Sequence, residues 1–148
     1  MMKDIIAPVP IEAIMDELTR DKFFRKTNNA GNEIYIITAQ DSPNIMREIG
    51  RLREISFRDS GGGTGLDCDI DVFDIRNDNF FYQLIVWNPN DRAIVGGYRF
   101  LLCDHLPVDA NGQVDTPTSA TLSLFISKGV TPISFTTWPV CARIWASR

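Results

Sequence analysis

Two apolar runs with a turn cluster between them place the strongest constraint on how this chain folds. The runs cover residues 81–87 and 93–102, and Asn88-Pro89-Asn90-Asp91 separates them. β-branched and aromatic residues on both sides of such a turn predict a β-hairpin. The earlier run Glu33–Thr38 predicts another strand, and its continuous apolar character predicts burial on both faces.

Helical spacing appears before the hairpin. Asp41-Ser42-Pro43 is typical of a helix start, with a capping side chain before a proline in the first turn. Apolar or small residues then follow at i, i+4, i+7 and i+11, as Ile45, Ile49, Leu52 and Ser56, up to a glycine loop at 61–65. A shorter helix is predicted from Pro10 to about Leu18, with Phe23 and Phe24 extending its apolar face.

The order strand, helix, loop, hairpin, strand predicts a mixed α/β domain with a largely antiparallel sheet flanked by helices. The last strand of this scheme is predicted at Ser119–Phe125, after a loop from Pro107 to Pro117. A chain of 148 residues fits one domain.

Composition excludes several classes of function. The net charge of −4 gives no basic field to gather nucleic acid. Three scattered cysteines, Cys68, Cys103 and Cys141, predict neither a zinc site nor a disulfide framework, and they favour a reducing cytoplasm. No run approaches the roughly 18 apolar residues that span a bilayer. The chain is therefore expected to be soluble, with a peripheral position at a membrane as the other option.

Two stretches allow either a purely structural or a functional interpretation. The loop Gly61–Gly65 is either a flexible exit from a helix or an anion-binding nest of backbone amides. Asp67, Asp69, Asp71 and Asp78 meet part of a calcium-loop spacing, but the glycine and the final glutamate of that loop are missing. The acids are expected either on a solvated edge or paired with arginines, and no metal site is predicted.

Five motifs in order carry a resemblance to a known family. They are Arg53-Glu-Ile-Ser-Phe57, Asp69-Ile-Asp71-Val-Phe73-Asp74, Leu84-Ile-Val-Trp87, Ile94-Val95-Gly96-Gly97-Tyr98-Arg99 and the upstream Ala30-Gly-Asn-Glu-Ile-Tyr35. The stretch from about residue 3 to 125 resembles the GNAT-type acyltransferases often labelled hemolysin, which include the N-acyltransferases of ornithine and glycine lipids. It is more distantly similar to the acyl-homoserine-lactone synthases.

The resemblance implies a GNAT fold whose central sheet splays open for a pantetheine arm. It implies an N-acyltransferase that moves a fatty acyl group from an acyl carrier protein or CoA thioester to a primary amine of an amino acid in lipid synthesis. The thioester would be a co-substrate, with no permanently bound cofactor. The expected setting is the cytoplasm, or the inner face of the membrane.

The resemblance also assigns residues to the site. The expected catalytic residues are Arg53, Asp71, Asp74 and Arg99, with the two aspartates fixing the two arginines and shaping the acceptor-amine site. The expected substrate-binding residues are Phe57, Arg58, Asp69, Trp87, Gly96, Gly97 and Tyr98.

The resemblance ends near Phe125. Residues 126–148 contain no acid and do not match the family, so residues 1–125 are expected to form an incomplete GNAT-like domain with an atypical tail. A frameshifted or otherwise altered end of a longer enzyme is one explanation. The alternatives to an enzyme are an inactive remnant, with an open sheet edge that favours a homodimer, and a small binding domain.

Overall fold

The computed structural model describes residues 2–28, 30–75, 81–102 and 140–146, with the backbone alone for 101–102 and 140–146. The elements are α1 (Ile11–Glu17), β1 (Phe23–Lys26), β2 (Glu33–Ile37), α2 (Pro43–Asp59), α3 (Val72–Ile75), β3 (Phe81–Asn88), β4 (Ala93–Leu102) and β5 (Val140–Ala146). The strands form one antiparallel sheet in the order β1-β2-β3-β4-β5. None of the described helices has the length and apolar character needed to cross a membrane.

The mixed α/β class and the hairpin are confirmed. β3 and β4 pair over their whole predicted length, and β2 pairs with β3 on the other side. Burial along β3 alternates strictly, so Phe81, Gln83, Ile85 and Trp87 share the buried face. In β2 only Tyr35 and Ile37 are buried among the five residues, so the expectation of burial on both faces of that strand is wrong.

A bulge in β4 decides which of its residues face the helices. Trp87 is opposite Ile94, whereas Val86 is opposite Gly96, so Val95 is an extra residue on β4. Ile94 packs in the core and Arg99, five positions further on, is buried opposite Gln83 on the same face. Without the bulge, residues an odd number apart would point to opposite faces.

The segment after α1 differs from the prediction. α1 ends at Glu17, and Phe23 and Phe24 belong to the edge strand β1 rather than to a continued helical face. The carboxylate of Glu17 instead accepts the backbone N–H groups of Asn44 (3.0 Å) and Ile45 (2.8 Å) in the first turn of α2. The start of α2 is therefore predicted correctly, but its cap comes from α1, and Ser42 makes no capping hydrogen bond.

The apolar core lies between the two longer helices and the buried face of the sheet. It contains Ile14, Tyr35, Ile37, Ile45, Met46, Ile49, Ile85, Trp87 and Ile94. At Gly50 the segment after the glycine loop comes into contact with α2, because a Cβ there would lie 2.5 Å from the sulfur of Cys68. The backbone N–H of Asp69 donates to the carbonyl of Gly50 (3.0 Å), which fixes the aspartate-rich segment against the helix.

β5 comes from the part of the chain where no strand was predicted. It pairs with β4 at seven consecutive positions, from Gly96 with Ala146 to Leu102 with Val140. The opening for a pantetheine arm that the resemblance implies therefore does not lie between these two strands over this ladder. The predicted strand at Ser119–Phe125, the loop at Pro107–Pro117 and the boundary at residue 125 lie outside the described residues.

Candidate active site

Five polar side chains meet on the buried face of the sheet, at the end away from the turn between β3 and β4. They are Arg53 of α2, Asp71 just before α3, Asp74 of α3, Gln83 of β3 and Arg99 of β4, here called the Asp74 cluster. All except Asp71 are at most 4% exposed. Four of the five were assigned from the sequence as catalytic residues, and the structure brings those four together.

Asp74 is at the centre of the cluster. Its Oδ2 accepts from Nη1 of Arg53 (2.9 Å), and its Oδ1 accepts from Nε2 of Gln83 (2.8 Å). Nη1 of Arg99 lies 3.1 Å from the same Oδ1. The backbone N–H of Asp71 donates to Oδ2 (3.1 Å). Asp74 is therefore a fully buried carboxylate held by two cations, an amide and a backbone donor.

Arg99 joins Asp74 to Asp71. Its Nη1 lies 2.8 Å and 2.9 Å from the two carboxylate oxygens of Asp71. Its guanidinium carbon lies 5.1 Å from the centre of the Phe81 ring, within the range of a cation–π contact. Its Nε is buried and has no hydrogen-bond partner among the described residues. The arginine is thus fixed by a ring on one side and two carboxylates on another.

The charges of the cluster balance, with two arginines against Asp71 and Asp74. Burial acts to raise the pKa of Asp74, but the charges of Arg53 and Arg99 and the hydrogen bonds outweigh it and hold that pKa below its ordinary value. Burial acts to lower the pKa of Arg99, and the charges of Asp74 and Asp71 outweigh it and raise that pKa. Both residues are therefore ionised at neutral pH.

Asp71 is the member of the cluster that reaches solvent, with 37% of its side chain exposed. Its Oδ1 accepts from the backbone N–H groups of Phe73 (2.9 Å) and Asp74 (3.2 Å), which caps the short helix α3. Its Oδ2 accepts one N–H among the described residues, from Arg99. A carboxylate oxygen can accept more than one hydrogen bond, so Oδ2 has room for a donor from a bound molecule.

A second buried carboxylate, Glu54, holds the glycine loop. It accepts the backbone N–H groups of Thr64 (3.0 Å) and Gly65 (2.8 Å), the hydroxyl of Thr64 (2.6 Å) and Nε of Arg58 (2.7 Å). Gly61 and Gly62 donate to the last carbonyls of α2, and Gly61 has a positive φ of 76°. The amides of Gly61, Gly62, Thr64 and Gly65 are thus used within the chain, which supports the helix-exit interpretation over a phosphate nest.

Replacement of Glu54 by glutamine is expected to lower the free energy of unfolding by about 2 kcal/mol at pH 7, because charge-assisted hydrogen bonds become neutral. Burial opposes ionisation of Glu54, but hydrogen bonds from Thr64, Arg58 and Gly65 lower its pKa to about 2 from the model-compound value of 4.5. A lowered pKa stabilises the fold fully above pH 4.5, and this contribution is lost as the pH falls towards 2.

Urea unfolding of both proteins from pH 7 to pH 2 measures this difference. The gap between Glu54→Gln and wild type should close with falling pH. The exposed Glu12→Gln in α1 is the matched control and should follow wild type throughout. A constant gap at every pH would show that the charge of Glu54 is not what holds the loop.

The remaining residues named from the sequence lie in four places. The carbonyl of Asp69 accepts from Arg53 (3.4 Å), so this residue adjoins the cluster. Arg58 binds Glu54 and the carbonyl of Leu66 (2.6 Å) and belongs to the loop. Phe57 and Trp87 pack with the core, and Gly96, Gly97 and Tyr98 lie in β4 between β3 and β5, so these five lie outside the cluster and their substrate-binding roles stay predictions.

A cleft of about 660 Å³ lies at the hairpin end of the sheet. Pro8–Ile14, α2 and the hairpin form its walls, with Leu52, Trp87 and Ile94 among the apolar residues. Trp87 and Gln83 are four residues apart on β3, about 13 Å. The cleft and the Asp74 cluster are therefore separate places: the ion pair of Glu48 and Arg51 lines the cleft, whereas the cluster joins two arginines, two aspartates and Gln83.

The carboxylates of Asp71 and Asp74 both bind Arg99, and Asp74 also binds Arg53. In the described part of the chain no group of three or more histidine, cysteine, aspartate or glutamate side chains is arranged to hold a metal ion. Asp78, the last member of the partial calcium spacing, lies outside the described residues.

Sequence reasoning missed Gln83 and Glu54. A glutamine within an apolar strand carries no charge signal, and its position opposite Arg99 depends on a register that the bulge at Val95 shifts. Glu54 lies inside the recognised motif beside Arg53, but its partners are ten and eleven residues away in a loop.

Comparison with known proteins adds a family and two relatives. The sequence pattern of the acetyltransferase (GNAT) domain matches residues 52–126. The glycine N(alpha)-acyltransferases of Phocaeicola vulgatus and Bacteroides thetaiotaomicron are each 52% identical to this chain over 124 residues, 84% of its length. The chain spans 37% and 36% of the length of these two relatives. No solved structure matches it significantly.

Proposed function

The chain belongs to the GNAT acetyltransferase-domain family, and on that basis we propose that it is part of an N-acyltransferase acting on an amino acid. The acceptor is the amino group of glycine, in keeping with the names of the two relatives. The donor is a fatty acyl thioester of acyl carrier protein or CoA. The product belongs to lipid synthesis, in the cytoplasm or at the inner face of the membrane.

The observation that carries this proposal is the Asp74 cluster with its exposed member Asp71. Arg99, stacked on Phe81, fixes the carboxylate of Asp71, and Asp74 fixes Arg99. Oδ2 of Asp71 accepts one N–H among the described residues and is open to a donor such as an ammonium or amine. This is an acceptor site for an amine, held by a rigid charged network.

The reaction needs few groups from the protein. The ammonium of glycine binds to Asp71 and loses a proton to that carboxylate or to water. The free amine nitrogen attacks the carbonyl carbon of the thioester, the C–N bond forms, and the C–S bond breaks. The nitrogen loses a second proton as the amide forms, the departing thiolate takes up a proton to leave as the thiol, and no covalent intermediate with the protein forms.

Thiol release tests the proposal. Purified protein is mixed with a long-chain acyl thioester, of acyl carrier protein or of CoA, in the presence of glycine, ornithine or no amine. We expect release that depends on the amine and is faster with glycine than with ornithine. Folded protein, judged by circular dichroism, that releases no thiol with any amine would contradict the proposal and support the non-catalytic alternatives.

A further inference from the structure

Gln83 is a buried amide with both of its polar ends in use. It is 1% exposed and lies in the middle of β3, between the apolar neighbours Leu84 and Ile85 on one side and the aromatic pair at 81–82 on the other. Its Oε1 accepts from Nη2 of Arg53 (2.8 Å), and its Nε2 donates to Oδ1 of Asp74 (2.8 Å). Arginine only donates and a carboxylate only accepts, so the amide has one possible orientation.

We propose that Gln83 is a positioning residue for the acceptor site, acting through Asp74 and Arg99 on Asp71. Nη2 of Arg53 lies 3.4 Å from Oδ1 of Asp74, a long contact, whereas Gln83 bridges the same two groups with two short bonds. Oδ1 of Asp74 is also the oxygen next to Arg99 (3.1 Å). The Nε2 donor of Gln83 therefore fixes the position of Oδ1 of Asp74, the oxygen that Arg99 contacts.

The catalytic consequence of this inference depends on the proposed function, but the structural consequence does not. Nη1 of Arg99 is shared between Asp74 and Asp71. When Oδ1 of Asp74 loses the bond from Gln83, it is free to move towards the arginines, and the guanidinium of Arg99 moves with it. The carboxylate of Asp71 would then lose its fixed orientation towards the amine.

The Gln83→Glu variant carries a carboxyl group whose proton can replace the amide N–H. Charged groups face this position from three elements and one connecting segment: Arg53 from α2, Asp74 from α3, Arg99 from β4, and Asp69 and Asp71 from the segment before α3. On the remaining side, β2 presents the apolar Ile37. When protonated, the introduced carboxyl group would donate to Asp74 and accept from Arg53 as the amide does; when ionised, it would repel Asp74.

The two arginines are already balanced by two carboxylates, so a further buried negative charge is unfavourable. The introduced carboxyl group and Asp74 should therefore share one proton to a pH above the ordinary glutamate range. A carboxyl group whose pKa is raised by folding destabilises the protein as the pH rises. For Gln83→Glu relative to wild type, the unfolding equilibrium constant should increase by up to about tenfold per pH unit above pH 4.3 until the pair titrates.

¹⁵N NMR of the arginine side chains tests the inference without reference to activity. In Gln83→Glu, the Nε–H signal of Arg99 should match wild type at low pH and shift as the introduced carboxyl group ionises. In Gln83→Met, which has a similar length and no donor, the signal should be displaced at every pH. The amide-to-carboxyl change Asn90→Asp, at an exposed residue of the hairpin turn, is the control and should leave the signal of Arg99 unchanged.

Amine-dependent thiol release supplies the second readout. At each pH, the kcat/KM of the variant for the amine is divided by that of wild type. We expect kcat/KM for the amine to fall about 10²-fold in Gln83→Met. In Gln83→Glu it should be near wild type at low pH and fall by a similar factor at high pH. A wild type without amine-dependent release would overturn the proposed function, while the NMR result would still decide the role of Gln83.

Equal, pH-independent Arg99 signals in wild type, Gln83→Glu and Gln83→Met would overturn the inference. Identical displacement of the Arg99 signal in both variants at every pH would also overturn it. That result would mean that the protonated carboxyl group, which can donate to Asp74, is no better than the thioether of methionine, which cannot.

Discussion

Replacement of Asp74 by alanine is expected to lower the free energy of unfolding by about 3–5 kcal/mol, the usual cost of removing one partner of a buried ion pair. Asp74 is 2% exposed and lies against both Arg53 and Arg99, so its loss leaves two buried cations and one carboxylate, that of Asp71, in the cluster. The stability of a domain of this size is commonly about 5–15 kcal/mol in total, so the loss is a large fraction. Urea unfolding at pH 7 measures it.

The pH dependence has a definite sign. The pKa of Asp74 is lowered in the folded state from 3.8, since the arginine charges and hydrogen bonds outweigh the effect of burial. Its stabilising contribution is therefore complete above about pH 3.8 and is lost as the pH falls through the lowered value. The difference in free energy of unfolding between wild type and Asp74→Ala should therefore become smaller as the pH falls below about 3.8.

Asp74→Asn is the milder companion, since it retains the shape and loses the charge. Its free energy of unfolding should lie between those of Asp74→Ala and wild type. The matched control is Asp16→Asn, on the exposed surface of α1, which should change stability by no more than about 0.5 kcal/mol. A loss at Asp74 no larger than that of the control would show that the cluster does not hold the fold together.

The second large effect is expected in catalysis rather than in stability. Asp71→Asn should reduce amine-dependent kcat/KM by about 10²–10⁴-fold, the usual contribution of a group that accepts a proton in the transition state. Asparagine also caps helices, and the side chain of Asp71 is 37% exposed, so the free energy of unfolding should fall by about 1 kcal/mol or less. Thiol release at varied glycine concentration measures the first quantity.

Asp91→Asn is the control for this experiment. It changes an exposed carboxylate in the hairpin turn, where Asp91 accepts from Asn88 (2.7 Å), and should keep wild-type rates. A variant at Asp71 that is stable and has wild-type rates at every glycine concentration would remove this carboxylate from the acceptor site.

The parts of the fold that follow from local pattern were predictable. The apolar spacing of α2 and the turn between β3 and β4 predict those elements correctly, because each is set by residues close in sequence. β1 has only four residues, and both β1 and β5 were missed because each is stabilised by its pairing partner. Phe23–Lys26 is a strand only against β2, and Val140–Ala146 only against β4.

The site residues were predictable from the family resemblance and not from charge or spacing alone. The resemblance picks out Arg53, Asp71, Asp74 and Arg99, which the structure places in contact, although their catalytic roles stay predictions. It could not show that Asp74 is enclosed while Asp71 is open, since that depends on packing between four elements. The cap from Glu17 and the glutamine bridge are likewise contacts between distant residues that no local pattern contains.

The bulge at Val95 has a consequence for the tolerance of β4 to changes in length. The hairpin loop can gain or lose residues without altering which way Arg99 points, because the ladder from Gly96 onward is set by its partners on both sides. An insertion or deletion between Gly96 and Arg99 would instead turn the guanidinium to the opposite face of the sheet. Within this strand, those four residues are where sequence length must stay constant over evolution.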